Sequence, residues 1–448
     1  MENNLIDSAL KNATDTHQVL IGSGVLTAVD QVFIQCFGQK AAIIIADENT
    51  FSLAGPLVQE KFTNRGIPMV TPFIFPGQPT LYADFKNVLE LENVLRSVEA
   101  VPVVIGSGTL NDLTKLAAHR CGIKYMVIAT AASMDGYTAF GAAITQDGFK
   151  QTMACPAPYA VVADLDIIVN APARMTASGY ADLLGKVTSG ADWLIADSLN
   201  VEAVDRPVWS LVQDSLRDWT AAPHLLQSGD RKAIGYRVEG LILTGLAMQA
   251  HQSSRPASGS EHQFSHLWEM HETTHGAVPH GFKVGVGSIC SAALYERLLL
   301  RDLSVLDIDG LCAAWPTAEQ VQQFVRQSHS DPVMAEKAVG QSLAKHPGNE
   351  VLRERLERLR EVWPNLRERL STQMMTADAL RNLLLAAGCP THPEEIGWSI
   401  SQLKTCYVRA RQIRSRYTVF DLASEAGVFE TCLDELFAST GFWHQSQG

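Results

Sequence analysis

Three short runs, Ala41–Ala46, Ala100–Ile105 and Tyr125–Ala129, are apolar at nearly every position, and they constrain the fold of this chain more than any other feature. A strand with one wet face alternates apolar and polar residues. A strand that is apolar throughout must be covered on both faces, which is the condition of a parallel sheet layered between helices. Gln18–Ile21, Met69–Phe75 and Tyr159–Val169 read as further strands, and the segment from about Leu81 to about Val98 has the three- and four-residue apolar spacing of a helix. Pro172 punctuates the pattern, and from Thr176 the periodicities are helical. The chain of 448 residues is long enough for two cores. The expected architecture is therefore an α/β domain over 1–172 and an all-helical domain over 173–448 with an extended C-terminal region.

The ends of the apolar runs carry the polar residues of interest. Asp47 follows the second strand, where it either accepts hydrogen bonds from a ribose or serves as a turn carboxylate. Ala100–Ile105 leads straight into Gly106-Ser107-Gly108-Thr109-Leu-Asn111-Asp112-Leu-Thr-Lys115. Strand, glycine turn and helix start suit a pyrophosphate, because the backbone can come close and the helix N-terminus offers free N–H groups. Asn111 stands where G-x-G-x-x-G needs its third glycine, and the Walker spacing is also missing. Gly22-Ser-Gly24 reads as a tight turn. Thr130 to Gly136 crosses the carboxyl end of the sheet, where Thr130 and Ser133 can bind cofactor and Asp135 a substrate hydroxyl or the nicotinamide side. Ser133 and Asp135 equally suit caps of the next element. Gly141–Gln151 is expected to form a hairpin turning at Asp147-Gly148, with Lys150 either on a substrate phosphate or in solvent.

In the helical half, Asp182, His262 and His280 each lie beside small residues in apolar, helix-forming contexts. One carboxylate and two neutral imidazoles suit zinc or a similar first-row ion, and three protein ligands leave coordination positions open for a substrate. A structural site would be closed by four ligands, often thiolates at short spacing, and no such cysteine pattern is present. His266 shares a helix face with His262 and rivals it for the second ligand position. Lys186 lies one turn after Asp182, where it either pairs with that carboxylate or lines the substrate pocket.

Together with the Gly106-Ser-Gly-Thr109 loop and the Thr130-Ala-Ala-Ser-Met-Asp-Gly136 segment, Asp182, His262 and His280 resemble the sn-glycerol-1-phosphate dehydrogenases. These belong to the superfamily of iron-type alcohol dehydrogenases, glycerol dehydrogenase and dehydroquinate synthase. The match is dense from about Asp15 to about Leu300 and thinner beyond. The resemblance implies a dehydroquinate synthase-like fold, with a dinucleotide on the α/β domain and a metal and substrate on the helical one. It implies reduction of dihydroxyacetone phosphate to sn-glycerol 1-phosphate with NAD(H) or NADP(H) and one divalent metal, zinc or else nickel or iron. Gly106, Ser107, Gly108, Thr109 and Asp112 would then face the dinucleotide, and His266 or a water would supply a proton. The alternatives are a glycerol dehydrogenase, a dehydroquinate-synthase-like cyclase and a ligand sensor without chemistry. The Thr130–Gly136 and Ser260–His266 segments favour the dehydrogenase over the cyclase, and a sensor would be free to lose a metal ligand.

Composition excludes other classes. A net charge of −12 argues against a general nucleic-acid binder, and no apolar run reaches the length of a membrane span. The start of the chain has no secretory pattern, and eight cysteines are scattered without paired spacing. A cytoplasmic homo-oligomer acting on a small phosphorylated substrate is the expectation. Between Leu352 and Leu370, leucines and Trp363 recur at alternating four and three positions among Arg and Glu, predicting one face packed within the chain and a kink or division at Pro364.

Overall fold

The computed structural model describes residues 4–271 and 278–445. These residues divide into two units. The first takes those within Met1–Leu183, Pro207–Ala257 and Thr273–Gly281, and the second those within Leu184–Arg206, Ser258–Glu272 and Phe282–Gly448.

The first unit is built on six parallel strands: β1 (Gln18–Gly22), β2 (Ala42–Asp47), β3 (Phe73–Phe75), β4 (Val101–Gly106), β5 (Met126–Ala129) and, beyond a separate hairpin of β6 (Ala142–Gln146) and β7 (Phe149–Met153), β8 (Ala160–Asp164). Their order across the sheet is β1-β8-β5-β4-β2-β3. The first strand pairs with the last, from Gln18 opposite Ala160 to Gly22 opposite Asp164. Alternate residues Ile44, Val103, Ile105, Ile128 and Val162 pack on Phe33 of the helix Val29–Phe37 and on Val58 and Phe62 of the helix Glu48–Arg65. The intervening Ile43, Ile45, Val104, Val127 and Val161 are buried as well. Both faces are covered, as the uniform apolar runs require, and each such side chain contributes roughly 1.5–3 kcal/mol relative to exposure.

Three boundaries differ from the sequence pattern. Of Met69–Phe75 only Phe73–Phe75 forms a strand, with Met69 making an isolated bridge to Ala42. The helix expected from about Leu81 begins at Phe85. The run expected as a strand through Val169 leaves the sheet at Asp164, and Leu165–Ile168 forms one helical turn. The reason is the Asp164 carboxylate, which accepts from Asp166 N at 2.9 Å, Gly24 N at 3.0 Å and Leu26 N at 2.8 Å. It caps the turn that follows β8 and holds the turn after β1, where Gly24 has φ of 69°. The hairpin is as expected, with Asp147 and Gly148 both left-handed between β6 and β7.

The second unit contains only helices among its described residues. Its longest, Asn349–Gln373, buries Leu352, Leu356, Leu359, Trp363, Leu366 and Leu370, the stripe read from the sequence. That stripe packs within the chain: Trp363 Nε1 donates to Arg301 O at 3.2 Å, and Gln373 Nε2 to Val187 O at 3.1 Å. Pro364 does not divide the helix. It faces solvent beside exposed Arg360, so the carbonyl deprived of its i+4 donor can be hydrated. No helix among the described residues is long and apolar enough to cross a membrane, and all eight cysteines are free thiols.

Candidate active site

The glycine loop lies where β4 meets the helix Gly108–Arg120. Gly106 is buried, while Ser107, Gly108 and Thr109 are half-buried at a helix N-terminus whose first N–H groups have no partner within the helix. A Cβ on Gly108 would come within 3.0 Å of the Met134 side chain, so glycine keeps this approach open. Thr130 is buried and its N–H donates to Gly106 O at 3.1 Å, tying the two polar segments together. Ser133 accepts through its carbonyl from Ser178 Oγ at 3.2 Å.

The neighbours of this loop include residues to which the sequence pattern gave no role. Lys115 is wholly buried, and its Nζ donates to the carbonyls of Gly136, Ala139 and Gly141 at 2.9, 2.9 and 3.0 Å. Asn111, at the place of the missing glycine, donates to Gly136 O at 3.1 Å and accepts from Tyr125 Oη at 3.0 Å. These side chains clamp the end of the Thr130–Gly136 segment. Asp112 joins them: it accepts from Ala143 N at 3.1 Å and lies 3.6 Å from Lys115 Nζ, with its acidity weakened by burial and partly restored by that ammonium. Asp47 caps the helix Glu48–Arg65 through Thr50 N at 2.8 Å. Lys150 lies on β7 opposite Thr145.

Asp182, His262 and His280 each present one ligand atom, and these atoms lie within 4.8 Å of one another. Among the described residues this is the group of three or more acidic, histidine or cysteine side chains able to hold a metal. Asp182, fully buried in the helix Ala173–Leu184, accepts from Asp135 N at 3.1 Å through Oδ2. His280 opens the helix His280–Leu299. The next residue, Gly281, donates its N–H to Ser178 Oγ at 3.1 Å, and a Cβ there would stand 1.9 Å from Ser178 O. Only glycine lets the two helices meet so closely.

His262 has a built support. Its Nδ1 is 2.7 Å from Glu261 Oε1, and Glu261 is fully buried, accepting also from Gly259 N and Thr188 Oγ1, both at 2.6 Å. A proton on Nδ1 donated to that carboxylate leaves Nε2 as the lone-pair donor, the arrangement that orients a metal-binding imidazole. Burial raises the Glu261 pKa, opposed by the Thr188 and Gly259 hydrogen bonds and by the charge of buried Lys186. One layer further out, Asp192 accepts from Ser260 N at 2.6 Å, Tyr295 Oη at 2.6 Å and Val419 N at 2.8 Å. It thereby holds the start of the helix Ser260–Met270, and burial first and the Glu261 charge second push it up to about 6. His266 is in edge contact with His262 at 5.9 Å and receives Arg414 Nη2 on its Nδ1 at 2.8 Å, which puts its proton on Nε2. It is not in the group of three. The sequence signal for this support was the Glu261-His262 dipeptide itself; nothing local pointed to Thr188 or Asp192.

The family model for iron-containing alcohol dehydrogenase matches residues 20–172. Over 270 residues, 60% of this chain and 68% of the relative, the sequence is 35% identical to glycerol-1-phosphate dehydrogenase [NAD(P)+] of Halalkalibacterium halodurans. The chain belongs to the glycerol-1-phosphate dehydrogenase family. The Bacillus subtilis member of this family is 31% identical over 318 residues, covering 68% of this chain and 80% of its own. Among solved structures, glycerol dehydrogenase from Schizosaccharomyces pombe matches with a TM-score of 0.59 over 97% of this chain and 92% of its own. At 15% identity that likeness speaks for the fold alone.

Proposed function

We propose that this chain is an NAD(P)H- and metal-dependent oxidoreductase that reduces dihydroxyacetone phosphate to sn-glycerol 1-phosphate and runs the reverse oxidation. The observation that carries the reading is the convergence of Asp182, His262 and His280 in a chain 35% identical to a glycerol-1-phosphate dehydrogenase. The donor set fits a divalent first-row ion, zinc or else nickel or iron: one anionic oxygen, two imidazoles, and a carboxylate behind one of them. Asp182, His262 and His280 would hold it. When bound, the ion supplies Lewis-acid polarisation of a ketone oxygen and reduced nicotinamide supplies a hydride.

The protein's own part is positioning and proton placement. Glu261 fixes the ring of His262, and the Asp135 amide fixes the Asp182 carboxylate. The turn from Gly106 through Ser107 and Gly108 to Thr109 offers backbone N–H groups to the pyrophosphate, with Asp112 and Lys115 holding the hairpin and loop beside it. Thr130, Ser133 and Asp47 serve the dinucleotide, and a carboxylate at Asp47 disfavours a ribose 2′-phosphate. Asp135 serves a substrate hydroxyl, Lys150 the substrate phosphate, and Lys186 lines the substrate pocket. Of the two proton sources, His266 or a water, the water completes the alcohol. With Arg414 donating to Nδ1, the neutral ring of His266 serves by orienting that water through its Nε2–H and keeps its own proton. In this reading residues 1–172 carry the dinucleotide and lend Asp135 and Lys150 to the substrate, and residues 173–448 carry the metal and the rest of the substrate site. The eight free thiols support a cytoplasmic setting, and the assembly proposed is a homo-oligomer.

The test is oxidation of NADH by purified protein with dihydroxyacetone phosphate, before and after chelation and after adding back zinc or nickel, with dihydroxyacetone as control. Metal-dependent turnover of the phosphorylated ketone alone is expected. Turnover of dihydroxyacetone in its place, or turnover indifferent to chelation, would refute the assignment.

A further inference from the structure

The C-terminal helices enclose a cavity of about 430 Å³ that none of the residues discussed above lines. Small-ligand sites run from about 300 to 1,000 Å³ and combine apolar walls with a few placed polar groups. This one has both. Trp315, Val321, Phe324 and Phe429 supply apolar and aromatic wall. Trp315 and His346 stack with centroids 5.1 Å apart, and Trp315 Nε1 and His346 Nε2 donate to the carbonyls of Pro347 and Pro316, so the stacked platform is held in place.

At its polar end stands a buried network. Asp421 takes Lys345 Nζ at 2.9 Å and Arg411 Nε at 3.2 Å, and Glu425 takes Arg355 and the Tyr417 hydroxyl, the latter at 2.7 Å. Three cations against two carboxylates leave one positive charge. The exposed Glu430 at the rim is in water, where its field is screened. Arg411 is the group that faces outward from the network: only its Nε is engaged, and among the described residues Nη1 and Nη2 have no partner. A guanidinium edge with two open N–H groups is shaped for a carboxylate or phosphate.

We propose that this cavity binds a small amphipathic anion, an apolar or aromatic body against Trp315, Val321, Phe324 and Phe429 with a carboxylate or phosphate-monoester head on Arg411. The site is independent of the dehydrogenase reading.

Calorimetric titration of the full chain with octanoate, octyl phosphate, octanol and octylammonium tests it. One equivalent of either anion should bind at least tenfold more tightly than octanol, with octylammonium weaker still. A preference between the two anions identifies the head. Arg411→Gln should cost the anions tenfold or more. Phe324→Glu, at a side chain already 54% exposed and so tolerant of change, should do the same by placing a carboxylate at the mouth. Melting curves of both variants establish that they fold. Equal affinity for octanol and octanoate, a preference for octylammonium, anion binding indifferent to both variants, or no binding of any probe would each overturn the proposal.

Discussion

Replacing Glu261 by glutamine should weaken metal binding by about 10–100-fold, or about 1.4–2.7 kcal/mol, while leaving the fold intact. The change keeps the volume and keeps an oxygen for Gly259 N, 2.6 Å away, but it removes the charge that faces His262 Nδ1 at 2.7 Å. Without that charge the imidazole loses basicity and its tautomer is less firmly held. Glu261→Ala should add a stability loss, because the N–H of Gly259 is then buried without its acceptor, at about 1–3 kcal/mol, while the Thr188 hydroxyl can turn to Gly185 O at 2.8 Å. Zinc affinity by competition with a chromophoric chelator, read beside denaturant unfolding of the metal-free protein, separates the two effects. If E261Q binds zinc as tightly as the wild type, or if its loss of affinity is matched by an equal loss of metal-free stability, then Glu261 does not act through His262.

Other outcomes follow from the same geometry. Gly281→Ala forces apart helices whose approach leaves 1.9 Å for a Cβ, so it should destabilise the chain by about 1–3 kcal/mol or more; an unchanged melting temperature would mean that the crossing is looser. Asp47→Asn keeps a good helix cap but removes the charge, and should raise kcat/KM for NADPH relative to NADH, as measured by initial rates with both cofactors. Burial lifts Glu425 to about 7, against the pull of Arg355 and Tyr417, from an ordinary value near 4.5. The folded state therefore binds the proton more tightly, and stability from this group falls as pH rises from about 4.5 through 7, by at most about 1.4 kcal/mol per pH unit. Glu425→Gln should flatten that part of the melting-temperature profile, and an unaltered slope would remove Glu425 as its source.

What the sequence determined by itself is what neighbours in the chain decide. Uniform apolar runs announced strands buried on both faces, Asp147-Gly148 announced its hairpin, and the leucine and Trp363 spacing announced the buried stripe of the helix Asn349–Gln373. Asp182, His262 and His280 could be singled out as candidates, because small residues beside a ligand-type side chain are a local pattern, but only the fold brings their ligand atoms within 4.8 Å of one another. Tertiary structure alone decided the pairing of β1 with β8, since parallel pairing joins segments far apart and leaves no local trace. It also ended β8 at Asp164, whose carboxylate bonds Gly24 and Leu26 from the other end of the domain. Lys115 looked like any helical lysine until three distant carbonyls were brought around it. In the same way, His262 and His266 occupy one helix face and are equivalent by spacing. Glu261 and Arg414 distinguish them, because a histidine's tautomer is set by the partner that packing brings to its other nitrogen.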